Sequence, residues 1–448
     1  MSRRTIVRRA REAPHAQPAV SALTEAGVWR LSTRLGDPEW LAERRLQAWS
    51  SYQQTPMPSP NDEAWRRTDL RGLPLDRLAP KPATDVPVDP RLTQPLAFEA
   101  HGALMVLRPG MPAELMDGGA SAEQGVVFLD WPSAMARHGQ KVRAALGTIV
   151  PDGEGKFSAL AAAFADQGVV LWVPPGVKVE APLHSILWAP GGGRMDFSRL
   201  LVVVGDGASL TYVHEAASPT EAEGDSLHAG IVEIHVGRGA QLRFVELQNL
   251  GQHVWNFTHE RARVERDGRI EWIFGAVGSR LTKNFSTLDL VGPGAEGRMS
   301  GFYFADNRQH LDHDTQQNHL AEHTTSDLLY KGALLGHSRS VWQGMIYVAP
   351  GAQKTDGYQA NRNLVLSKQA RADSIPGLEI LADDVRCTHG ATVSQLEQEP
   401  VFYLMTRGLP RPEAERVVVD GFFDPIMQRI PFEGVRERFK QMISDKMG

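Results

Sequence analysis

The sequence contains a single cysteine, Cys387, among its 448 residues. One thiol cannot form an intrachain disulfide, and such cysteine usage is typical of proteins in a reducing cytosol. One thiolate also cannot hold a metal–sulfur cluster alone, because clusters normally take four such ligands. We therefore expect a cytoplasmic protein that binds no cofactor stably by itself and shares any inorganic centre with other residue types or another chain.

Several other features are missing from the sequence. No apolar run approaches the roughly 20 residues that span a membrane, and no secretion signal precedes the first helix. The net charge of −5 gives no basic surface for nucleic acid. No phosphate-binding Gly-x-x-x-x-Gly-Lys-Ser/Thr loop and no Gly-x-Ser-x-Gly turn occurs, so we expect no enzyme of those classes. The basic start, residues 1–11, is either a short tail or an organelle address.

Composition divides the chain into four parts. Residues 1–73 form a helical region, because Asp37-Pro38 is a good helix start and apolar residues then recur at helical spacing. Residues 74–95 contain too many prolines for a helix or a central strand and are predicted to be a linker. Residues 96–392 are predicted to be a β core, and 393–448 a C-terminal helical region.

The β core carries a repeat. Apolar and polar residues alternate with a period of two, as in half-buried strands. Turn glycines recur about every 26–32 residues, with one double step before the last of them: Gly176, Gly207, Gly239, Gly268, Gly294 and Gly351. This pattern favours a coiled β-solenoid, in which each turn buries its inner face against the next. A propeller is the alternative, but its blades are longer and their signatures are absent.

The C-terminal region is unusually apolar. Five residues are candidates for binding a partner protein: Phe402, Phe422, Phe423, Ile426 and Met427. They form either a docking face for another protein or a layer that packs on the β core.

Two clusters carry possible metal chemistry. The stretch from His310 to His323 is dense in imidazoles and carboxylates, which either bind a divalent metal or form hydrogen-bonded ladders between strands. The second cluster is Cys387 and His389, which lie two residues apart and share one face of an extended strand. Together they could supply half of an iron site, or they are a buried cysteine beside a structural histidine. Arg386 next to the thiol is expected to favour the thiolate modestly.

A long series of linked motifs resembles the SufB/SufD family of iron–sulfur cluster assembly proteins. The series runs from Asp312 to Tyr403 and includes the segments 344–348, 352–359, 370–374, 376–380 and 383–392. Upstream, Pro38-Glu-Trp-Leu and Glu63-Ala-Trp-Arg-Arg-Thr-Asp-Leu resemble the SufD branch in particular, as does the scarcity of cysteine. The resemblance covers nearly the whole chain from about residue 30.

The resemblance implies a fold and a set of partners. It implies a right-handed parallel β-helix flanked by helical regions, which pairs with SufB and binds the ATPase SufC through the C-terminal helices. Cys387 and His389 would lie at the end of the core that faces SufB, with His389 favoured as the ligand of iron or a transient cluster. The chain would be a non-catalytic scaffold.

Three alternatives to this assignment stay open. The chain could form a homodimer in the absence of SufB. It could be a secreted-type polysaccharide-acting β-helix enzyme that uses Asp312, Asp314 and Asp327. It could also be a free-standing metal-binding β-solenoid.

Overall fold

The computed structural model describes residues 23–93, 102–116, 119–430 and 433–448. The basic start of the chain lies outside these residues, as does the predicted beginning of the β core at residue 96. Within the described ranges, no helix is long and apolar enough to cross a membrane.

The N-terminal region begins with two helices, α1 (Glu25–Leu35) and α2 (Glu39–Gln54). The hydroxyl of Thr24 caps α1 by accepting a hydrogen bond from the backbone of Gly27. Pro38 is the capping residue of α2 and not its first helical residue, so this helix begins one residue later than predicted. The other helices are α3 (Pro90–Thr93), α4 (Gly119–Glu123), α5 (Trp131–Ala145), α6 (Lys156–Phe164), α7 (Gln398–Thr406), α8 (Arg411–Met427) and α9 (Glu433–Met447).

The centre of the molecule is built from two ten-stranded sheets. Sheet A contains β1 (Ala79–Pro80), β4 (Val127–Asp130), β5 (Gln167–Val173), β7 (Arg194–Val204), β9 (Ser226–Val236), β11 (Val254–Val264), β13 (Leu281–Leu290), β15 (His310–His319), β17 (Arg339–Val348) and β19 (Arg371–Ile380). Sheet B contains β2 (Ala103–Leu107), β3 (Glu114–Met116), β6 (Leu183–Trp188), β8 (Ser209–Ala217), β10 (Gln241–Asn249), β12 (Arg269–Ala276), β14 (Glu296–Ala305), β16 (Thr325–Leu334), β18 (Asp356–Val365) and β20 (Arg386–Gln395).

From β5 onward the chain alternates between the two sheets, and the strands within each sheet pair in parallel. This arrangement is a parallel β-solenoid. It confirms the predicted mainly β fold with a β-helix core between N-terminal and C-terminal helical regions. The last strand ends at Gln395, three residues beyond the predicted end of the core.

The turns between sheets A and B explain the glycine repeat. Gly207, Gly239 and Gly294 have φ of 67°, 60° and 74°, in the left-handed region that glycine adopts without steric cost. The predicted repeat had a double step after Gly294. At the missing position the structure places His323, whose φ is 59°. The repeat is therefore continuous, but a non-glycine residue takes the left-handed conformation at two turns: His323 here, and Asp267 (φ 54°) beside Gly268.

The described part of the predicted proline-rich linker, residues 74–93, lies against the solenoid. Ala79 pairs with Arg194 of β7, and the indole nitrogen of Trp188 donates to the carbonyl of Val86 at 3.0 Å. Leu78 and Ala83 in this segment are buried. The segment is thus an ordered strap along the core and not a spacer between independent units.

The C-terminal helices cover the outer face of sheet B. Phe423, Ile426 and Met427 are each at most 1% exposed, and they pack on side chains of the sheet such as Phe302. These three residues are therefore unavailable as a docking surface, which corrects that prediction in favour of core packing. Burial of this face fixes α8 and α9 on the solenoid. Helix α7 begins at Gln398, so Pro400 lies in its first turn, where a proline costs no helical hydrogen bond.

Candidate functional site

The solenoid ends in two strands that are open to solvent. Among the described residues, β19 pairs only with β17, and β20 pairs only with β18. Each strand therefore presents one edge of unpaired backbone groups, which is a template for pairing with another chain. Apolar side chains at this end are also exposed: Leu378 by 37%, Ile380 by 39% and Val393 by 50%. We call this surface, strands β19 and β20 together, the open end.

Cys387 and His389 both lie in β20 at the open end. Their register partners in β18 are Gly357 and Gln359, which are buried and face the interior of the solenoid. Because alternate residues of a strand face the same side, Cys387 and His389 also face the interior, where no further turn covers them. Cys387 is half-buried and His389 is exposed.

The thiol of Cys387 lies in a small apolar cluster with Ile346 and Val348. Burial raises the pKa of this thiol, and the nearby carboxylate of Asp356 acts in the same direction, while a backbone hydrogen bond from Gly357 opposes both. The expectation that Arg386 would favour the thiolate is therefore wrong. The raised pKa favours the thiol form over the thiolate in this chain.

The four histidines between 310 and 323 do not converge. His310 lies on the outer face of sheet A, where its Nε2 is 2.9 Å from the hydroxyl of Thr68. His313 faces the interior among aromatic rings. His319 is held inside by hydrogen bonds of 2.7 Å to Thr324 and 2.8 Å to Ser326. Over the described part of the chain, no group of three or more His, Cys, Asp or Glu residues could hold a metal ion.

Of the three acids considered for polysaccharide chemistry, Asp312 and Asp314 share the ammonium of Lys283, whereas Asp327 lies on the other sheet. Asp312 is fully buried against Lys283, whose Nζ lies 3.0 Å from its Oδ1. Asp314 is on the same strand, and burial raises its pKa to about 6 despite the proximity of Lys283. Asp327 is on sheet B and pairs with Arg298 at 3.4 Å. This arrangement gives no paired carboxylates across a sugar-binding cleft.

The upstream motif at residues 63–70 fastens the N-terminal region to sheet A. The ring of Trp65 packs 5.8 Å from that of Phe285, and the hydroxyl of Thr68 donates to buried Asp312. The ammonium of Lys283 lies 5.8 Å from the centre of the Trp65 ring. The motif thus has a structural role that its sequence did not reveal.

A second exposed apolar surface lies on the C-terminal helices. Phe402, Tyr403 and Met405 of α7 are 67%, 56% and 40% exposed, and Val417 of α8 is 43% exposed. Phe422 is half-buried, and its backbone carbonyl accepts a hydrogen bond of 2.6 Å from Lys331 of sheet B. Of the five predicted docking residues, Phe402 is therefore the one that is fully available to a partner.

Comparison with known proteins gives the family. Residues 187–422 match the model for the SufBD core domain of the SUF system for iron–sulfur cluster assembly. This chain belongs to the SufBD family. It is 30% identical over 434 residues to the iron–sulfur cluster assembly protein SufB of Bacillus subtilis, an alignment that covers 92% of this chain and 90% of the relative.

SufBD relatives from staphylococci give alignments of the same extent. The SufBD family protein of Staphylococcus saprophyticus is 29% identical over 435 residues, covering 92% of this chain and 90% of the relative. A SufBD family protein of Staphylococcus epidermidis gives the same values. The SufBD core match extends from the end of β6 into α8, so it includes the open end and α7.

Some residues at the open end were missed by sequence reasoning. Gly357 and Gln359 belong to the motif at 352–359 but were given no role, because their place beneath Cys387 and His389 in the neighbouring turn is not visible in the sequence. Their spacing of two residues, repeated about 30 positions later by Cys387 and His389, is the pattern that would have revealed them once the solenoid period was known.

Proposed function

We propose that this SufBD protein is a SufD-type, non-catalytic scaffold subunit of a cytoplasmic iron–sulfur cluster assembly complex. It pairs with SufB through the open end and binds the ATPase SufC through α7 and the neighbouring surface of α8. Iron or a nascent cluster is the cargo of the complex and is held transiently at the interface with SufB. The single observation that carries this proposal is the position of the only cysteine, Cys387, at the uncovered end of the solenoid.

The chemistry of the open end supports a shared site. Cys387 provides one sulfur and His389 one nitrogen, whereas an iron–sulfur cluster normally needs four ligands. The remaining ligands have to come from the chain that covers β20. The unpaired edges of β19 and β20 give that partner backbone hydrogen bonds, and the exposed apolar residues add buried area.

The proposed SufC surface is supported by exposure and by rigidity. Phe402, Tyr403 and Met405 present an apolar patch on α7 that the rest of the described chain leaves uncovered. Aromatic residues of this kind commonly dominate binding energy at protein interfaces. Because α8 is fixed to sheet B, force or movement at this patch would be transmitted to the solenoid.

A homodimer is the second candidate assembly. The unpaired edges of β19 and β20 support it, since the same edges of a second copy of this chain could pair with them. A two-fold axis at the open end would bring two copies of Cys387 and His389 together. Such a pair would still offer only two thiolates, fewer than a cluster normally takes.

Co-expression with SufB and SufC tests the proposal. We expect a stable three-component complex, with SufB lost on Val393→Glu and SufC lost on the double change Phe402→Ser, Tyr403→Ser. Thr388→Glu is the matched control for β20, because its side chain faces away from the interior. If the chain purified alone as a monomer with a stoichiometric, stable cluster, or with catalytic turnover of its own, the scaffold proposal would be wrong.

The ligand role is tested separately in cells. His389→Ala should reduce the assembly of clusters on recipient proteins, while the SufB and SufC partners still co-purify. Unchanged cluster assembly by this variant would remove His389 from the proposed site.

A further inference from the structure

The strand directly beneath Cys387 and His389 has two unusual features. Gly357, the register partner of Cys387, is a glycine in a strand interior, where it costs stability. Gln359, the register partner of His389, is fully buried and has one polar atom without a partner. Neither feature is explained by the stability of the solenoid.

The space at Gly357 is occupied by its neighbours. A Cβ atom at this position would lie 3.2 Å from the Sγ of Cys387, 3.3 Å from the Nε2 of His319 and 3.3 Å from a methyl group of Ile346. The φ of Gly357 is not in the left-handed region, so its backbone does not require glycine. The residue is therefore needed for room, and the room is where the thiol lies.

Gln359 crosses the interior of the solenoid from sheet B to sheet A. Its Nε2 donates to the carbonyl of Gly377 at 2.8 Å and to that of Gly344 at 3.4 Å. A carbonyl can accept a hydrogen bond from Nε2 but cannot donate one to Oε1. The two carbonyls therefore fix which end of the Gln359 amide faces them. The Oε1 atom is left buried and unpaired, although an unmet acceptor of this kind destabilises a fold.

His389 is the neighbour that can satisfy this acceptor. It projects into the same interior from the adjacent strand, about 4.8 Å away along the solenoid axis. Its ring nitrogens make no hydrogen bond to any described residue, whereas histidine ligands usually donate the second N–H to an oxygen that orients the ring.

We propose that Gly357 and Gln359 are positioning residues for the Cys387–His389 pair. Gly357 leaves the space that keeps the thiol inside the end of the solenoid. The exposed imidazole of His389 turns inward so that Gln359 Oε1, which has no partner in the structure, accepts a hydrogen bond from one ring nitrogen, and the lone pair of the other nitrogen is then directed at the open end. This inference rests on the proposed function of the pair as ligands of iron, but its geometry can be tested without iron.

The first test is made on the full-length protein with selectively labelled histidine. At a pH well above the usual pKa of imidazole, the ¹⁵N shifts of His389 should show one predominant tautomer. In Gln359→Met, which keeps the length of the side chain and removes the acceptor, the shifts should move to the values of a tautomer mixture. Gln343→Met is the matched control, because Gln343 lies on the outer face of the same turn and contacts Ala64.

The second test uses the thiol. Gly357→Ala should displace Cys387 toward the solvent, so Ellman's reagent should label it several-fold faster at constant pH. Gly390→Ala adds the same methyl group to β20, where the nearest atom is 3.8 Å away, and should leave the rate unchanged. Far-ultraviolet circular dichroism of each variant confirms that the solenoid remains folded.

The possible results separate positioning from function. A mixture of tautomers in the parent protein, or equal labelling rates for the Gly357→Ala and Gly390→Ala variants, would overturn the positioning inference whatever the protein does in cells. A normal cluster assembly rate for His389→Ala would instead overturn the ligand role. The positioning geometry would stand in that case if the two spectroscopic and labelling results were as expected.

Discussion

The Nζ of Lys283 lies 3.0 Å from the Oδ1 of Asp312, and both side chains are completely buried where the N-terminal region meets sheet A. Thr68 of the upstream motif donates to the second oxygen of the same carboxylate. An ion pair on two neighbouring strands is thus completed by a residue more than 200 positions earlier in the chain. This contact links the N-terminal region to β15, which lies two strands before β19 in sheet A.

Breaking the Lys283–Asp312 pair should be costly. Lys283→Met leaves a buried carboxylate without its cation, and we expect the free energy of unfolding to fall by about 3–5 kcal/mol. The double change Lys283→Met, Asp312→Leu removes both charges and should recover much of this loss. Urea denaturation of the parent and both variants measures the difference. Equal stability of the single and double variants would show that the unpaired charge is not the cause.

Acid should weaken the attachment of α9 to the solenoid. Burial alone would raise the pKa of Glu215, but Arg438 of α9 and His184 outweigh it and lower the pKa to about 2. The unfolded chain takes up this proton near the ordinary glutamate pKa of about 4.3. The pair therefore stabilises the fold above that pH, and its contribution is lost as the pH falls toward 2.

The substitution Arg438→Met tests the role of the Glu215–Arg438 pair in this acid dependence. It leaves Glu215 buried without its main partner, so this part of the acid dependence should disappear, together with about 3–5 kcal/mol of stability at neutral pH. Arg436→Met is the control on the same helix, because Arg436 contacts only a backbone carbonyl of the preceding turn among the described residues. An unchanged acid profile in Arg438→Met would contradict the assignment.

A buried histidine should make the fold sensitive to mild acid. Burial lowers the pKa of His313 to about 3, and neither ring nitrogen has a hydrogen-bond partner among the described residues. The unfolded chain binds a proton at this residue below about pH 6.5, whereas the folded chain does not. The free energy of unfolding is therefore unaffected by protonation of His313 above that pH. It decreases as the pH is lowered toward 3, because only the unfolded chain gains the proton.

His313→Phe should remove this sensitivity. The ring already lies 5.0 Å from Phe274 and 5.2 Å from Tyr303, so an apolar ring fits the site. We expect the variant to be at least as stable as the parent at neutral pH and more stable at about pH 5. Thermal unfolding at the two pH values measures this, and a variant that loses stability equally at both would show that the imidazole has an unrecognised partner.

Two phenylalanines of the C-terminal region should behave in opposite ways. Phe423→Ala creates a cavity in the contact with sheet B and should cost about 3–5 kcal/mol of stability. Phe402→Ser changes an exposed side chain and should alter stability by no more than about 0.5 kcal/mol, while it weakens binding of SufC. Denaturation and a pull-down measured on both variants distinguish core packing from docking.

The solenoid was predictable because its signals are local and repeated. The alternating residues between Val232 and Val236 indicate a half-buried strand, and the turn glycines give the length of one coil. His323 was missed as a turn residue because a histidine in the left-handed conformation has no distinctive neighbour in sequence. The pairing of Ala79 with β7 was missed for a related reason, since a contact with a distant strand determines it.

The site was only partly predictable. The sequence indicated that Cys387 and His389 share a strand face, but their position at an uncovered end depends on how many turns precede them. The sequence could not separate exposed docking residues from residues that pack on the core. Phe402 and Phe423 are chemically identical and differ only in what covers them. Burial depends on how the helices pack against the sheets. The sequence of an apolar helix face does not show which element will cover it.

The two ends of the solenoid differ in whether they allow growth. At the beginning, the short antiparallel strands β3 and β4 interrupt the parallel stacking, so another chain cannot continue the coil there in register. Parallel stacking in register is therefore offered by only one end of the described solenoid. If the proposed pairing through β19 and β20 holds, each molecule would join a single counterpart, and the edges that would polymerise a symmetric coil into filaments would instead give a closed pair.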